Sequence, residues 1–276
     1  MVSYQLSVKA DAAQLAGRCR EMSHREEIVD QFTRQAAQFA ASPTARSEDI
    51  LERMVRLARP EASHRALDVA CGPGLLVCGM ARRVRHATGI DLTPAMLEQA
   101  RKTQQARGIG NVSWDQGDVS AMPYADETFD IVTCRFAFHH FPDPLPVLRE
   151  MRRVCRAGGR MVVADSAPAA EKAAAFNAME KMRDPSHTRA LPVEAMAALF
   201  VEAGLPEPLV ERTRLALDLD EFLSRSYPRE GDEARIRAMF ESALEEDVMD
   251  VLPRRDGAKI FFSVPVAIVA AQVPHG

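Results

Sequence analysis

A chain of 276 residues that is 47% hydrophobic and 27% charged has the length of one large domain, or one domain with an elaboration, and ample apolar content for a packed core. Its 35 Lys and Arg against 39 Asp and Glu leave a formal net charge of −4, so no overall positive field exists to hold a nucleic-acid backbone. The cysteines, Cys19, Cys71, Cys78, Cys134 and Cys155, show no C-x-x-C spacing; they predict neither a disulfide framework nor a zinc ribbon, and a reducing cytoplasm fits them best.

The opening MVSYQLSVKADAAQ lacks an apolar core of signal-peptide length, and no run of about 18 apolar residues predicts membrane insertion. Ile28, Phe32, Ala36 and Phe39 recur at helical spacing from Arg25 to Ala41, and a second helix is expected from Ser47 to Ala58, stopped by Pro60. Residues 1–60 therefore read as an N-terminal helical arm, with the main domain at 61–276. From Arg65 the pattern changes to short apolar runs, RALDVA, HATGID, NVSWDQGD, FDIVTCR and GRMVVAD, separated by helical stretches. That alternation predicts an α/β fold with a mainly parallel sheet covered on both faces. Thr93-Pro94 opens the helix PAMLEQARKTQQAR, and Gly158-Gly159 is expected to close the helix carrying LPVLREMRRVCRA. Beyond Asp165, AAEKAAAFNAMEKM, the polar turn DPSHTR and VEAMAALFVEAG suggest a helical cover inserted at about 166–205. Two strand-like runs follow, with a charged helix between them; Pro265 argues that the last strand is at an edge, kinked or broken.

The most informative segment is Leu67-Asp68-Val69-Ala70-Cys71-Gly72-Pro73-Gly74, an apolar strand running into a glycine turn and a helix. In a parallel sheet such a turn lies at the ligand crevice, where glycines let backbone approach a ligand closely. A dinucleotide fingerprint would place a third glycine where Val77 stands; the turn also has no basic residue, and Asp68 precedes it. A ligand with a positive group and no phosphate suits it better. Asp91, 17 residues beyond Gly74, is placed for ribose hydroxyls, and Asp118 for an adenine amino group.

With GIDLTPAMLEQAR, GDVSAMPYADETFDIVTCRFAFHHF and LREMRRVCRAGGRMVVAD following LDVACGPG in order, the stretch from Arg65 to Asp165 resembles the class I S-adenosylmethionine-dependent methyltransferases, in particular the ubiquinone/menaquinone-biosynthesis-like small-molecule group. The resemblance implies a Rossmann-like sheet with an antiparallel last strand, S-adenosylmethionine as donor with S-adenosylhomocysteine as product, and a small-molecule acceptor methylated at carbon, oxygen or nitrogen. Asp68, Ala70, Cys71, Gly72 and Gly74 would line the methionine half of the donor. Asp91 would hold the ribose, Leu92 and Met96 flank the adenine, Asp118 and Val119 read its edge, Arg135 lie near the sulfonium, and Phe32 and Phe39 close an aromatic lid. Ala70 stands where many members have glycine.

Methyl transfer is a displacement that rests on alignment and exclusion of water, with a base when the acceptor carries an acidic proton. Candidates are His139 and His140, of which His140 is the first choice, and His187 with Arg189 in the polar turn. Arg135 would pair either with an acceptor carboxylate or with an internal aspartate. No metal is expected, and the protein would act as a monomer or homodimer. A non-catalytic adenosyl-ligand-binding protein and an NAD-dependent oxidoreductase are the competing readings.

Overall fold

A computed structural model describes residues 23–41 and 47–275; the side chains of Phe39 and Ala41 lie outside what is described, as do Cys19 and the rest of the expected arm before Ser23. Among the described residues eight strands form one sheet: β1 (Arg65–Val69), β2 (His86–Asp91), β3 (Val112–Gln116), β4 (Phe129–Arg135), β5 (Cys155–Ser166), β6 (Leu209–Asp218), β7 (Arg254–Asp256) and β8 (Lys259–Gln272). Their order is β3-β2-β1-β4-β5-β8-β6, with β7 on β8. Strands β1 to β5 pair in parallel, and β8 runs antiparallel between β5 and β6. The order reverses between β1 and β4, which opens a crevice at their carboxyl ends, the usual place for a ligand in such a sheet.

Side chains alternate across the strands and divide the core in two. Ala66, Ile131, Val162 and Ile268 pack into one apolar cluster, while their neighbours Leu67, Val132, Val163 and Val269 pack into the other. The central strands are therefore largely apolar, as burial on both faces requires, with Asp68 of β1 and Thr133 of β4 as a buried pair that bond each other. The first face is covered by helices α2 (Glu48–Ala58), α3 (Leu75–Ala81) and α9 (Asp232–Ala243); the second by α5 (Leu145–Val154) and α7 (Val193–Glu202). In α2, Ile50, Met54 and Leu57 share the buried face, and the helix stops at Arg59 in a left-handed conformation before Pro60. The remaining helices are α1 (His24–Ala41), α4 (Pro94–Arg107), α6 (Ala173–Arg183) and α8 (Leu219–Ser224).

Three local expectations change. Gly158 and Gly159 lie inside β5, beside a register shift in its pairing with β4, and α5 ends earlier, at Val154. A Cβ on Gly159 would stand 2.8 Å from the Asp130 carbonyl oxygen, so glycine there permits a bulge instead of capping a helix. Pro265 sits within an unbroken inner strand. Its carbonyl accepts from Ala167 N–H, just past the end of β5, so its missing N–H faces the side where the ladder has already ended. Of the expected cover, α7 is not a roof: Val193, Met196 and Phe200 bury its apolar face against Met151 and Leu148 of α5. Only α6 and the turn after it reach the crevice.

Candidate functional site

The loops at the carboxyl ends of β1, β2 and β4, together with α1, enclose a cavity of about 260 Å³. After Val69 the chain passes through left-handed backbone at Ala70, Gly72 and Gly74, with φ of 54°, 51° and 72°. These glycines serve different ends. A Cβ on Gly72 would meet nothing within 4 Å, so its Cα faces open space in the cavity, whereas one on Gly74 would stand 2.3 Å from the Trp114 ring and 2.9 Å from the Ala100 Cβ. Gly74 thus lets α3 pack on β3 and α4; it does not line the cavity. Ala70 is no neutral replacement for glycine either, because a left-handed L-residue costs about 1–2 kcal/mol.

Three carboxylates converge here. Asp91 ends β2 and is buried; its Oδ2 accepts from Gly72 N–H and its Oδ1 from Thr93 N–H, each at 2.8 Å, which ties the glycine turn to the next strand. Burial raises its pKa, and those backbone donors oppose the rise. Asp68, within β1, accepts from Thr133 Oγ1 at 2.7 Å. Burial pushes it up to about 7, against the pull of Thr133 and Arg135. Arg135 at the end of β4 is pushed down to about 10 by burial, against the opposing pull of Asp68. Asp118 is more exposed, and the Ser120 hydroxyl and N–H, then Arg25 of α1 at 3.1 Å, hold it below the usual carboxylate range.

Phe32, from the expected arm, and Ala70, Cys71, Leu92, Met96 and Val119, from the motif segments, complete the wall of this cavity. His24 and Arg25 were not foreseen. Neither belongs to a motif, and only the folding of α1 across the crevice brings them in: His24 Nε2 lies 2.7 Å from the His140 carbonyl oxygen, and Arg25 crosses to Asp118.

A second, smaller cavity of about 80 Å³ adjoins the first, the two sharing Phe32, Phe136 and His140 as lining. Its far side is built from β6, α6 and α8, through Leu215, Leu217, Arg183 and Phe222. The three candidate histidines meet at this boundary, with ring centroids of His139 4.2 Å from His140 and 5.4 Å from His187. Their environments differ. The Nδ1 of His139 is 2.5 Å from Asp165 Oδ1, the carboxylate near the end of β5. Burial lowers the His139 pKa, but Asp165, with smaller help from Glu180 and Asp184, overturns this and holds it above the ordinary value. His140 is pushed down by burial and by its charged neighbour His139; its Nδ1 lies 3.2 Å from the Ser186 carbonyl, and its ring takes the Phe32 ring edge-to-face at 4.9 Å. His187 is buried, not solvated, and is pushed down by burial and then by His139 and His140. Its Nε2 contacts Asn177 Oδ1 at 2.7 Å. Arg189 lies exposed, outside both cavities, and its N–H bonds the His139 carbonyl. Met179 and Met196 pack into opposite core clusters and line neither cavity.

Asp165 is the site residue that motif reading passed over. A carboxylate at the crevice end of a buried strand was the available signal, but its partner, 26 residues earlier, was not readable.

Residues 67–163 match the family model described as a methyltransferase domain. The chain is 30% identical to the uncharacterized protein YafE of Escherichia coli (strain K12) over 70% of this chain and 93% of that one. It is 36% identical to the ubiquinone/menaquinone biosynthesis C-methyltransferase UbiE of Roseobacter denitrificans, over 48% of this chain and 56% of that one. The crystal structure of YcgJ from Bacillus subtilis superposes with a TM-score of 0.75 at 27% identity, covering 82% of this chain and 98% of YcgJ. Among the described residues no helix is long and apolar enough to cross a membrane. Sheet order, glycine turn, strand-end carboxylates and these relationships together make the chain a member of the class I S-adenosylmethionine-dependent methyltransferases.

Proposed function

We propose that the larger cavity holds S-adenosylmethionine and that the smaller one receives a small-molecule acceptor, methylated at a hydroxyl oxygen with His139 as general base. The residues present fit the donor. Gly72 offers open backbone where a side chain would fill the cradle, and a buried carboxylate driven up to about 7 at Asp68 suits a cationic neighbour, whose charge would favour the ionised form. Asp68 and Gly72 would hold the methionine end, Asp91 the ribose, and Leu92, Met96, Asp118 and Val119 the adenine. When bound, S-adenosylmethionine supplies an electrophilic methyl group on a sulfonium. Phe32, packed on His140, excludes water between the two cavities, and His24 pins the His140 backbone from α1. His139 takes the acceptor's hydroxyl proton, and Asp165 orients the ring and favours the imidazolium that results. His140, the first choice on sequence grounds, instead serves as a wall.

The observation that carries this reading is the His139–Asp165 pair set beside the boundary of two adjoining cavities. Calorimetric titration with S-adenosylhomocysteine, followed by transfer of labelled methyl from the donor to a panel of phenols, quinols and amines, tests it. Binding of the product, and labelled ethers from the phenols or quinols, are expected. Failure to bind refutes the donor site, and labelled amines alone refute the oxygen acceptor. His139→Gln should lower turnover by about 10²–10⁴-fold while leaving S-adenosylhomocysteine affinity within twofold, roughly.

A further inference from the structure

We infer that the smaller cavity selects an acceptor carrying both a hydroxyl and a carboxylate on an apolar body. The inference rests on the proposed function only for the direction of transfer. Among the described residues, the buried side-chain atoms that lack a hydrogen-bond partner include Gln35 Nε2, His187 Nδ1 and Arg225 Nη2, and all three residues line this one cavity. Buried polar groups are almost always satisfied, so three left open around one space mark what is to fill it. Gln35 comes from α1, His187 from the turn after α6 and Arg225 from the end of α8; nothing in chain proximity brings them together.

The open atoms define complementary chemistry. Gln35 Nε2 and Arg225 Nη2 are donors and call for an acceptor oxygen. His187 gives Nε2–H to Asn177 Oδ1, so its Nδ1 keeps a lone pair and calls for a donor such as a hydroxyl, a contact of the bound state made before His139 takes that same proton. The cavity's acidic groups are already engaged. Glu180 Oε2 takes two bonds from Arg183, at 2.6 and 2.8 Å, and Asp184 Oδ1 takes Ser186 N–H and Oγ–H at 2.9 and 2.6 Å. Arg225, by contrast, spends only its Nε, on the Glu221 carbonyl at 2.9 Å; its Nη2 has no closer partner than the Glu221 carboxylate at 4.0 Å, and the like charge of Arg183 lies nearby. A ligand carboxylate answers Arg225 and Gln35 together, and Phe136, Leu215, Leu217 and Val264 provide apolar surface for the body between its two polar ends.

The test uses the full chain saturated with S-adenosylhomocysteine, titrated calorimetrically with phenol, benzoate and the ortho, meta and para monohydroxybenzoates. At least one hydroxybenzoate is expected to bind about tenfold more tightly than either phenol or benzoate, in line with one charge-assisted bond. Arg225→Gln should remove that advantage over phenol while phenol and S-adenosylhomocysteine bind as before; His187→Phe should remove the advantage over benzoate. Equal or tighter binding of phenol than of every hydroxybenzoate overturns the inference, as does a loss of phenol and hydroxybenzoate alike in Arg225→Gln when S-adenosylhomocysteine binding is intact. If the wild-type chain fails to bind S-adenosylhomocysteine, the donor reading fails instead, and the same titrations on the ligand-free protein still decide the acceptor chemistry.

Discussion

At the scale of single residues, two glycines two positions apart separate folding from binding. Gly74→Ala places a methyl inside the Trp114 ring at left-handed backbone, so it should destabilise by about 2–4 kcal/mol, read from a denaturation midpoint. Gly72→Ala meets no atom, and should cost only the conformational term of about 1–2 kcal/mol while its methyl intrudes on the donor cavity and weakens S-adenosylhomocysteine binding. Equal stability losses in the two variants would contradict this division. The motif LDVACGPG marked both glycines alike, because spacing records that a turn needs glycine and not whether the reason is a neighbour or a ligand. Asp68 makes a third residue-level case. With its pKa at about 7 it is largely protonated below neutrality, and a cationic donor must then displace that proton. Donor affinity should therefore fall as pH drops below 7, by up to about tenfold per unit, and the dependence should vanish in Asp68→Asn. A wild-type affinity flat from pH 7.5 to 5.5 would show that Asp68 does not face the donor's charge.

Among the elements, α1 is the piece that closes the site. Gln31, Gln35 and Ala36 face inward from it, and Arg25 reaches Asp118 across the cavity mouth. That ion pair is largely exposed, 61% and 40%, so it contributes only about 0–1 kcal/mol to stability. Its removal in Arg25→Ala should leave the thermal midpoint almost unmoved and speed S-adenosylhomocysteine release several-fold in stopped-flow displacement; an unchanged release rate would mean that α1 does not latch the donor. The parallel core was legible because its strands, the half-buried edge strand β3 apart, are mostly buried, largely apolar runs ended by a turn residue, and PAMLEQARKTQQAR coincides with α4. The short α8 and β7 carried no periodic signal, being only six and three residues long. The assignment of α7 failed for a related reason: its apolar stripe fits a roof or a layer helix equally, and contact with α5 decides between them. Most of the proposed donor side could be named from the sequence because those residues follow strand ends in one continuous segment; His24 and Arg25 of α1 could not. The proposed acceptor side could not, since Gln35, His187 and Arg225 meet only after three distant segments have packed.

For the molecule as a whole, housing imidazoles in the interior links the proposed acceptor chamber to folding stability. His187 is held below its ordinary value by burial and by the neighbouring histidines, so the folded chain refuses a proton that the unfolded chain accepts below about pH 6.5. Its contribution is thus fully present above that pH and is lost progressively as pH falls toward the depressed folded value, at up to about 1.4 kcal/mol per unit. His139 works in the other sense: Asp165 raises its folded pKa, so its contribution is complete below about 6.5 and is lost as pH rises through the raised value. One consequence is kinetic, because His139 must be neutral to act as the proposed base. Turnover should rise with pH through that raised pKa, and Asp165→Asn should move the rise downward while lowering the plateau, a shift that a merely structural Asp165 would not produce. The other consequence is thermodynamic and isolates His187. Substitution by Asn removes one titrating group, so urea unfolding at pH 7.5, 6.5 and 5.5 should show the wild-type advantage over His187→Asn smaller than at the first value by roughly 0.4 kcal/mol at the second and by roughly 1.4 kcal/mol at the third. A gap that stays fixed across all three would mean that His187 titrates in the folded chain as it does in the unfolded one, and the chamber would then have lost the unprotonated Nδ1 on which its choice of a hydroxyl depends.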